Sequence, residues 1–250
     1  MAGKWKACAA EKDWLVDSYN LTGFTISEAS PPNFQNFFAG AAGLAGQARY
    51  VLSPAGEWTP ASPTDFMRPG QAFWQFCSRQ SSFSGPLLVT LSGLQELDFG
   101  SQQLEAALTV TNNSATSRTV SVTALPSAPP LETSSPQLAG EVPLSVWKVD
   151  LSDPDPAKRT YGFEPLKSPE QFELGAGASR VIQVAVRRQD MAPFTPDPGR
   201  EAAYQTILRF QNGAGAVVDF PVRADGLEAP GTSPVKKGTR IIGKADGGDA

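Results

Sequence analysis

The 250-residue chain contains no histidine and only two cysteines, Cys8 and Cys77. Without imidazole, the commonest general base and the commonest metal ligand are both missing, and most hydrolase and zinc-enzyme designs fall with them. A serine nucleophile would then need a lysine partner, yet Ser78-Arg79-Gln80 and Ser81-Ser82 offer no Ser-x-x-Lys spacing. No stretch approaches the roughly 18 to 20 apolar residues of a membrane-spanning helix. The first twenty residues carry Lys4, Lys6, Glu11, Lys12, Asp13 and Asp17, so no signal peptide is visible. Two origins stay open: a cytosolic protein, or a mature fragment whose export signal lies elsewhere. Basic side chains are also scarce. With 21 Lys and Arg against 25 Asp and Glu the net charge is −4, and no long basic stripe stands ready for a phosphate backbone, which argues against nucleic acid. The cysteines could close one disulfide in an oxidising compartment. Alternatively Cys77, inside Phe73-Trp74-Gln75-Phe76-Cys77, is a buried small hydrophobe. Cys8 lacks the preceding apolar segment of a lipid anchor.

What the chain does have is 23 Gly and 22 Pro, which disfavours a helical bundle or coiled coil. Its 14 Phe, 5 Trp and 4 Tyr supply ample apolar area for a core. The expected fold is mainly β, in four parts: an extension at 1–12, an aromatic-rich β module with one short helix at 13–94, an immunoglobulin-like sandwich at 95–226, and a flexible tail at 227–250. In the first module, Trp14-Leu15-Val16 and Leu21 to Ile26 are β-prone. Phe34, Phe37 and Phe38 fall at i, i+3, i+4 after Pro31-Pro32 and predict a short helix. Ala48 to Leu52 and Glu57 to Thr59 read as a hairpin around Ser53-Pro54-Ala55-Gly56, and Arg68-Pro69-Gly70-Gln71 turns the chain into the strand Ala72 to Cys77, with Leu87 to Leu91 closing the module.

Short strands follow at Glu96–Phe99, Leu104–Thr111, Arg118–Leu125, Leu144–Val149, Gln171–Leu174, Ser179–Val186, Tyr204–Phe210 and Val217–Val222. That number in some 130 residues suits a β-sandwich. Asn112-Asn113-Ser114 between two alternating strands predicts a hairpin. Pro126 to Pro143 reads as an extended Pro/Ser-rich excursion. In Ser179–Val186, Ile182, Val184 and Val186 take the core side, and Val181, Gln183 and Ala185 the other.

Leu97-Asp98-Phe99-Gly100 followed by Leu108-Thr109-Val110-Thr111-Asn112 is similar to the opening of the ASPM–SPD-2–Hydin group of immunoglobulin-like domains. Asn20-Leu21-Thr22-Gly23-Phe24, Phe34 to Phe38, Gly56-Glu57-Trp58 and Pro69 to Trp74 resemble an aromatic-rich module near the start of large, exported, multidomain bacterial proteins. The resemblance implies a structural or binding role without catalysis, outside the cytoplasm: extracellular or periplasmic. The long insertion at Pro126 to Pro143 departs from the family pattern.

The candidate sites each have a plain structural alternative. Asp150, Asp153 and Asp155 could offer calcium hard oxygen ligands, but they lack EF-hand spacing and equally describe a solvated Asp/Pro turn. Asp98-Phe99-Gly100 copies the letters of a kinase magnesium loop without any partner motif. Trp58 and Trp74, with Phe73, Phe76 and the amides of Gln71 and Gln75, could stack on sugar rings, or else form a compact aromatic core. Asn20-Leu21-Thr22 and Asn112-Asn113-Ser114 match the glycosylation acceptor pattern. Pro221 and Arg223 would blunt one sheet edge, whereas Leu104 to Thr111, with Leu108 and Val110, either accepts a partner strand or lies inside its sheet. The expectation is therefore a non-catalytic interaction module. It needs no cofactor, and its partners are protein chains, including copies of itself, or alternatively a glycan.

Overall fold

Alternation along Ala72–Cys77 (β4) sends Phe73, Gln75 and Cys77 inward and leaves Trp74 and Phe76 on the opposite face. The computed structural model describes residues 12–91, 97–127, 137–150, 154–167, 169–197 and 202–226. Strand β4 lies between Ser18–Gly23 (β1) and Arg49–Leu52 (β2), and Trp58–Pro60 (β3) completes an antiparallel sheet in the order β1-β4-β2-β3. The β2–β3 hairpin and the 68–71 turn form as predicted. Trp14 to Val16 is not a strand; Trp14 is buried instead, its indole N–H donating to the Phe83 carbonyl at 2.8 Å.

The helix Phe34–Phe38 (α1) covers the inner face of this sheet. Asn33 caps it by accepting from the Asn36 N–H at 2.8 Å, and all three phenylalanines are buried. Phe34 and Phe38 meet Phe73 edge-on at centroid separations of 5.1 and 6.1 Å. Arg49 is buried beside them, donating to Gln75 Oε1 at 2.7 Å and stacking its guanidinium over Phe34 and Phe38; burial lowers its pKa.

The second unit is a two-layer sandwich. One sheet runs Thr160–Pro165 (β11), Leu144–Asp150 (β10), Ser179–Val186 (β13), Glu105–Asn112 (β7) and Leu87–Leu91 (β5), in that order. The other runs Glu170–Leu174 (β12), Arg118–Pro126 (β8), Ala202–Asn212 (β14), Val217–Ala224 (β15) and Leu97–Asp98 (β6); Gln137–Gly140 (β9) pairs in parallel with the start of β14. Between the layers Leu108, Val110, Ile182 and Val184 face Val120, Val122, Leu208, Phe210 and Phe220. The core side of β13 is as predicted, except that Ala185 is buried as well, beside its β10 partner Ser145.

Four findings correct the sequence reading. Strands β7 and β8 do not form a hairpin, because the chain crosses from one sheet to the other at Asn112. The Asn112 side chain, buried, donates to the carbonyls of Thr116, Leu174 and Gly175 and accepts from the Ser114 N–H and hydroxyl, which fixes an arch where a tight turn was expected. The 126–143 excursion contributes β9, and Tyr161 lies in a strand, β11, that the sequence reading did not include. Strand β5 precedes residue 94 yet belongs to the sandwich, where it pairs with β7. Residues 1–11, residues 128–136 of the excursion and the predicted tail at 227–250 lie outside the described residues.

The two units touch through loops. Ser27 N–H donates to the Gly215 carbonyl at 2.8 Å, and Val217 N–H to the Thr25 carbonyl at 3.2 Å. Gly40 lies against Asn113: a Cβ on Gly40 would sit 2.2 Å from the Asn113 carbonyl oxygen.

Candidate interaction surfaces

The register of the first sheet gathers one face of apolar side chains. Tyr19 stands opposite Phe76, Leu21 and Tyr50 flank Trp74, Leu52 faces Trp58, and Tyr50 faces Pro60. Leu21 is 56% exposed, Leu52 49% and Trp58 42%, while Trp74, Phe76 and Tyr50 are half-buried. Rings meet edge-on: Trp58–Trp74 at 6.0 Å, Tyr19–Tyr50 at 5.6 Å and Tyr19–Phe76 at 5.2 Å. Desolvation and the neighbouring Tyr50 push the Tyr19 phenol above its ordinary pKa. No charged residue occupies this face in the paired strands. Both tryptophans singled out in the sequence are therefore surface groups, whereas the core role falls to Phe73 and the helix phenylalanines. Sequence reasoning missed Tyr19, Leu21, Tyr50 and Leu52, whose contribution appears only once cross-strand partners are known.

The other predicted sites fare differently. Leu108 and Val110 are fully buried in β7, which is paired on both sides, so this strand offers no free edge and neither residue is available to a partner. Gln75 points inward to Arg49, and Gln71 Oε1 accepts from the Arg68 N–H, so the two amides do not line the aromatic face. Asp150 ends β10 opposite Thr160; Asp155 caps a 3-10 turn at Pro156–Lys158, accepting from the Ala157 N–H at 3.0 Å; Asp153 lies outside the described residues. Among the described residues no three His, Cys, Asp or Glu side chains come together as a metal site. Cys77 is buried and its thiol donates to the Arg79 carbonyl; Cys8 lies outside the described residues. Asn112 is buried, which removes it as a sugar acceptor.

Two shallow concavities of about 520 and 570 Å³ flank the Gly40–Gly43 loop, and Arg79 is the one ionisable side chain lining them. A second apolar strip lies on the outside of the sandwich, where the Trp147 ring meets Phe163 edge-on at 5.1 Å and lies tilted 6.2 Å from Tyr161, beside Val149 and Val181. Among the described residues, no helix is long and apolar enough to cross a membrane.

By its strands the chain is a mainly β protein with an immunoglobulin-like sandwich and one short helix near its N-terminus. No family model matches it, and no curated protein matches it. Among solved structures, an ASH/PapD-like domain of human CEP192, PapD-like domain 7, aligns at 10% identity and a TM-score of 0.29, covering 58% of this chain and 87% of that one. Agreement at that level carries no argument, and the description of the fold rests on the strand pairing above.

Proposed function

We propose that the chain is a non-catalytic structural or protein-interaction module of an exported bacterial protein or assembly, and that a partner protein docks on the outer face of the N-terminal sheet. One observation carries this reading: Tyr19, Leu21, Leu52 and Trp58 stay more than a third exposed on a single uncharged sheet face. Water-exposed apolar side chains gathered in one patch mark interaction sites, and aromatic anchors dominate such interfaces. The export assignment follows the family resemblance of Leu97 to Asn112.

A glycan is the second reading, favoured by the adjacent Trp58 and Trp74 rings. It is weakened by the inward turn of Gln75, since sugar hydroxyls need polar partners beside the stacking ring. A photo-cross-linker placed at Leu21 in cells of the source organism should give a protein adduct that disappears on Trp58→Ala. Binding on a glycan array, lost on Trp74→Ala and without a protein adduct, would install the sugar reading. The absence of both the adduct and glycan binding would overturn the docking role of this face.

A further inference from the structure

Strand β11 is an open edge: among the described residues it pairs with β10 alone. The Leu166 N–H donates to the Leu144 carbonyl at 2.9 Å, just beyond the β10–β11 register in which Val146 faces Glu164 and Lys148 faces Gly162. Bonded and non-bonded pairs alternate along an antiparallel ladder. Thr160, Gly162 and Glu164 therefore bond to β10, and Tyr161 and Phe163 turn their N–H and C=O groups to the open side. Of the other edge strands, β12 is blunted by Glu170 and Glu173 and β3 by Pro60, whereas β1 and β5 carry neither a charge nor a proline. Beside the open edge, Tyr161 is 73% exposed and continues the apolar strip of Phe163, Trp147 and Val149.

We propose that this edge pairs with the same edge of a second copy of the chain, antiparallel, across a twofold axis at Gly162. A continuous sheet requires opposed residues to share a face, which restricts the register to steps of two. Centred on Gly162, Tyr161 faces Phe163 of the second copy, and each such pair exchanges two hydrogen bonds, four in all. The same register lays Phe163, which already packs on Trp147, beside Tyr161 of the other copy, so the two apolar strips join. It also opposes Thr160 to Glu164, so no like charges meet. Centred on Phe163, it would oppose Pro165, which has no N–H, to Tyr161; centred on Tyr161, it would set Phe163 against Arg159, outside the strand. The strand is thus complementary to itself in face, bond phase and charge, which is what an isologous contact needs. A contact of four backbone hydrogen bonds along one short strand is at the small end for protein pairs, so the dimer is a weak, reversible one.

Sedimentation equilibrium of the full chain up to about 1 mM should show a monomer–dimer equilibrium. Tyr161→Pro removes an outward N–H without touching the β10 ladder and should leave a monomer, whereas Glu173→Ala on β12 should not. Gly162→Cys in a Cys8→Ser background gives a second readout. Open space surrounds the new Cβ, and residues facing each other at a non-bonded pair sit about 4.5 Å apart, within disulfide reach. Mild oxidation should cross-link this variant and not Glu173→Cys. A monomer over the whole concentration range, a dimer that persists in folded Tyr161→Pro, or failure of Gly162→Cys to cross-link would each overturn the proposal. These outcomes are independent of the docking face on the N-terminal sheet.

Discussion

Asn112 shows how much of this fold hangs on single polar side chains. It sits where the chain leaves one sheet for the other, and its amide satisfies three carbonyls from two separate segments, 116 and 174–175. Replacing it with alanine leaves those acceptors buried and short of donors, so Asn112→Ala should destabilise the protein by about 2 to 4 kcal/mol in urea unfolding. Arg188 acts similarly at the far end of the sandwich. Its guanidinium donates to the carbonyls of Phe99, Gly100, Gln103 and Asp225, tying the β6 loop to the end of β15. Two other residues contribute to the loss of stability at alkaline pH. The pKa of Lys148 is raised by its hydrogen bond to Glu170 on the facing sheet, with Glu164 adding to it, and that of Tyr204 is raised by burial. In both cases the folded chain holds its proton beyond the point where the unfolded chain gives it up. Their contribution is intact below about pH 10 and is lost as pH rises through the folded values. Thermal melts should therefore shift downward from about pH 10 upward, and Lys148→Met should remove part of that alkaline slope.

Elements were legible in the sequence where local chemistry alone decides them. The helix at Phe34–Phe38 follows from ring spacing after Pro31-Pro32, and the β2–β3 hairpin from Pro54 and Gly56 in the turn, where Gly56 adopts a φ of 84°. Pairing was less legible. Alternation of Leu108 and Val110 with threonines marks a strand, but it says nothing about which sheet the strand joins or whether it has a free edge, and the arch at Asn112 depends on carbonyls some sixty residues away. Strand β11 escaped notice because Gly162 and Pro165 interrupt its pattern, while its pairing with β10 overrides their weak propensity. The aromatic face was half legible: Trp58 and Trp74 stood out by residue type, whereas Leu21 and Leu52 join them only through register. Contact between the two units also has no local signature, although it yields a sharp test. A methyl group on Gly40 would collide with the Asn113 backbone, so Gly40→Ala should cost about 1 to 3 kcal/mol. Gly213→Ala, with open space around it, should stay within about 0.5 kcal/mol. Differential scanning calorimetry of the two variants makes the comparison.

For the whole molecule, the two faces of the N-terminal sheet divide stability from function. The inner face carries Phe73, Gln75 and Cys77 against the helix, with Arg49 as the buried cation, and removing atoms there opens a cavity in a close-packed cluster of rings. The outer face keeps Leu21, Leu52 and Trp58 in contact with water even though they are apolar, an arrangement that adds little to the stability of the isolated chain. A surface held open in this way has a use in binding, and substitution on its two sides should separate accordingly. Phe73→Ala should lose about 3 to 5 kcal/mol of unfolding free energy. The double variant Leu52→Ala and Trp58→Ala should lose no more than about 1 kcal/mol, while eliminating the adduct formed from a cross-linker at Leu21. If chemical denaturation showed the outer double variant to be as damaging as the inner one, these rings would be core residues of the module, and the partner would have to be sought on the sandwich instead.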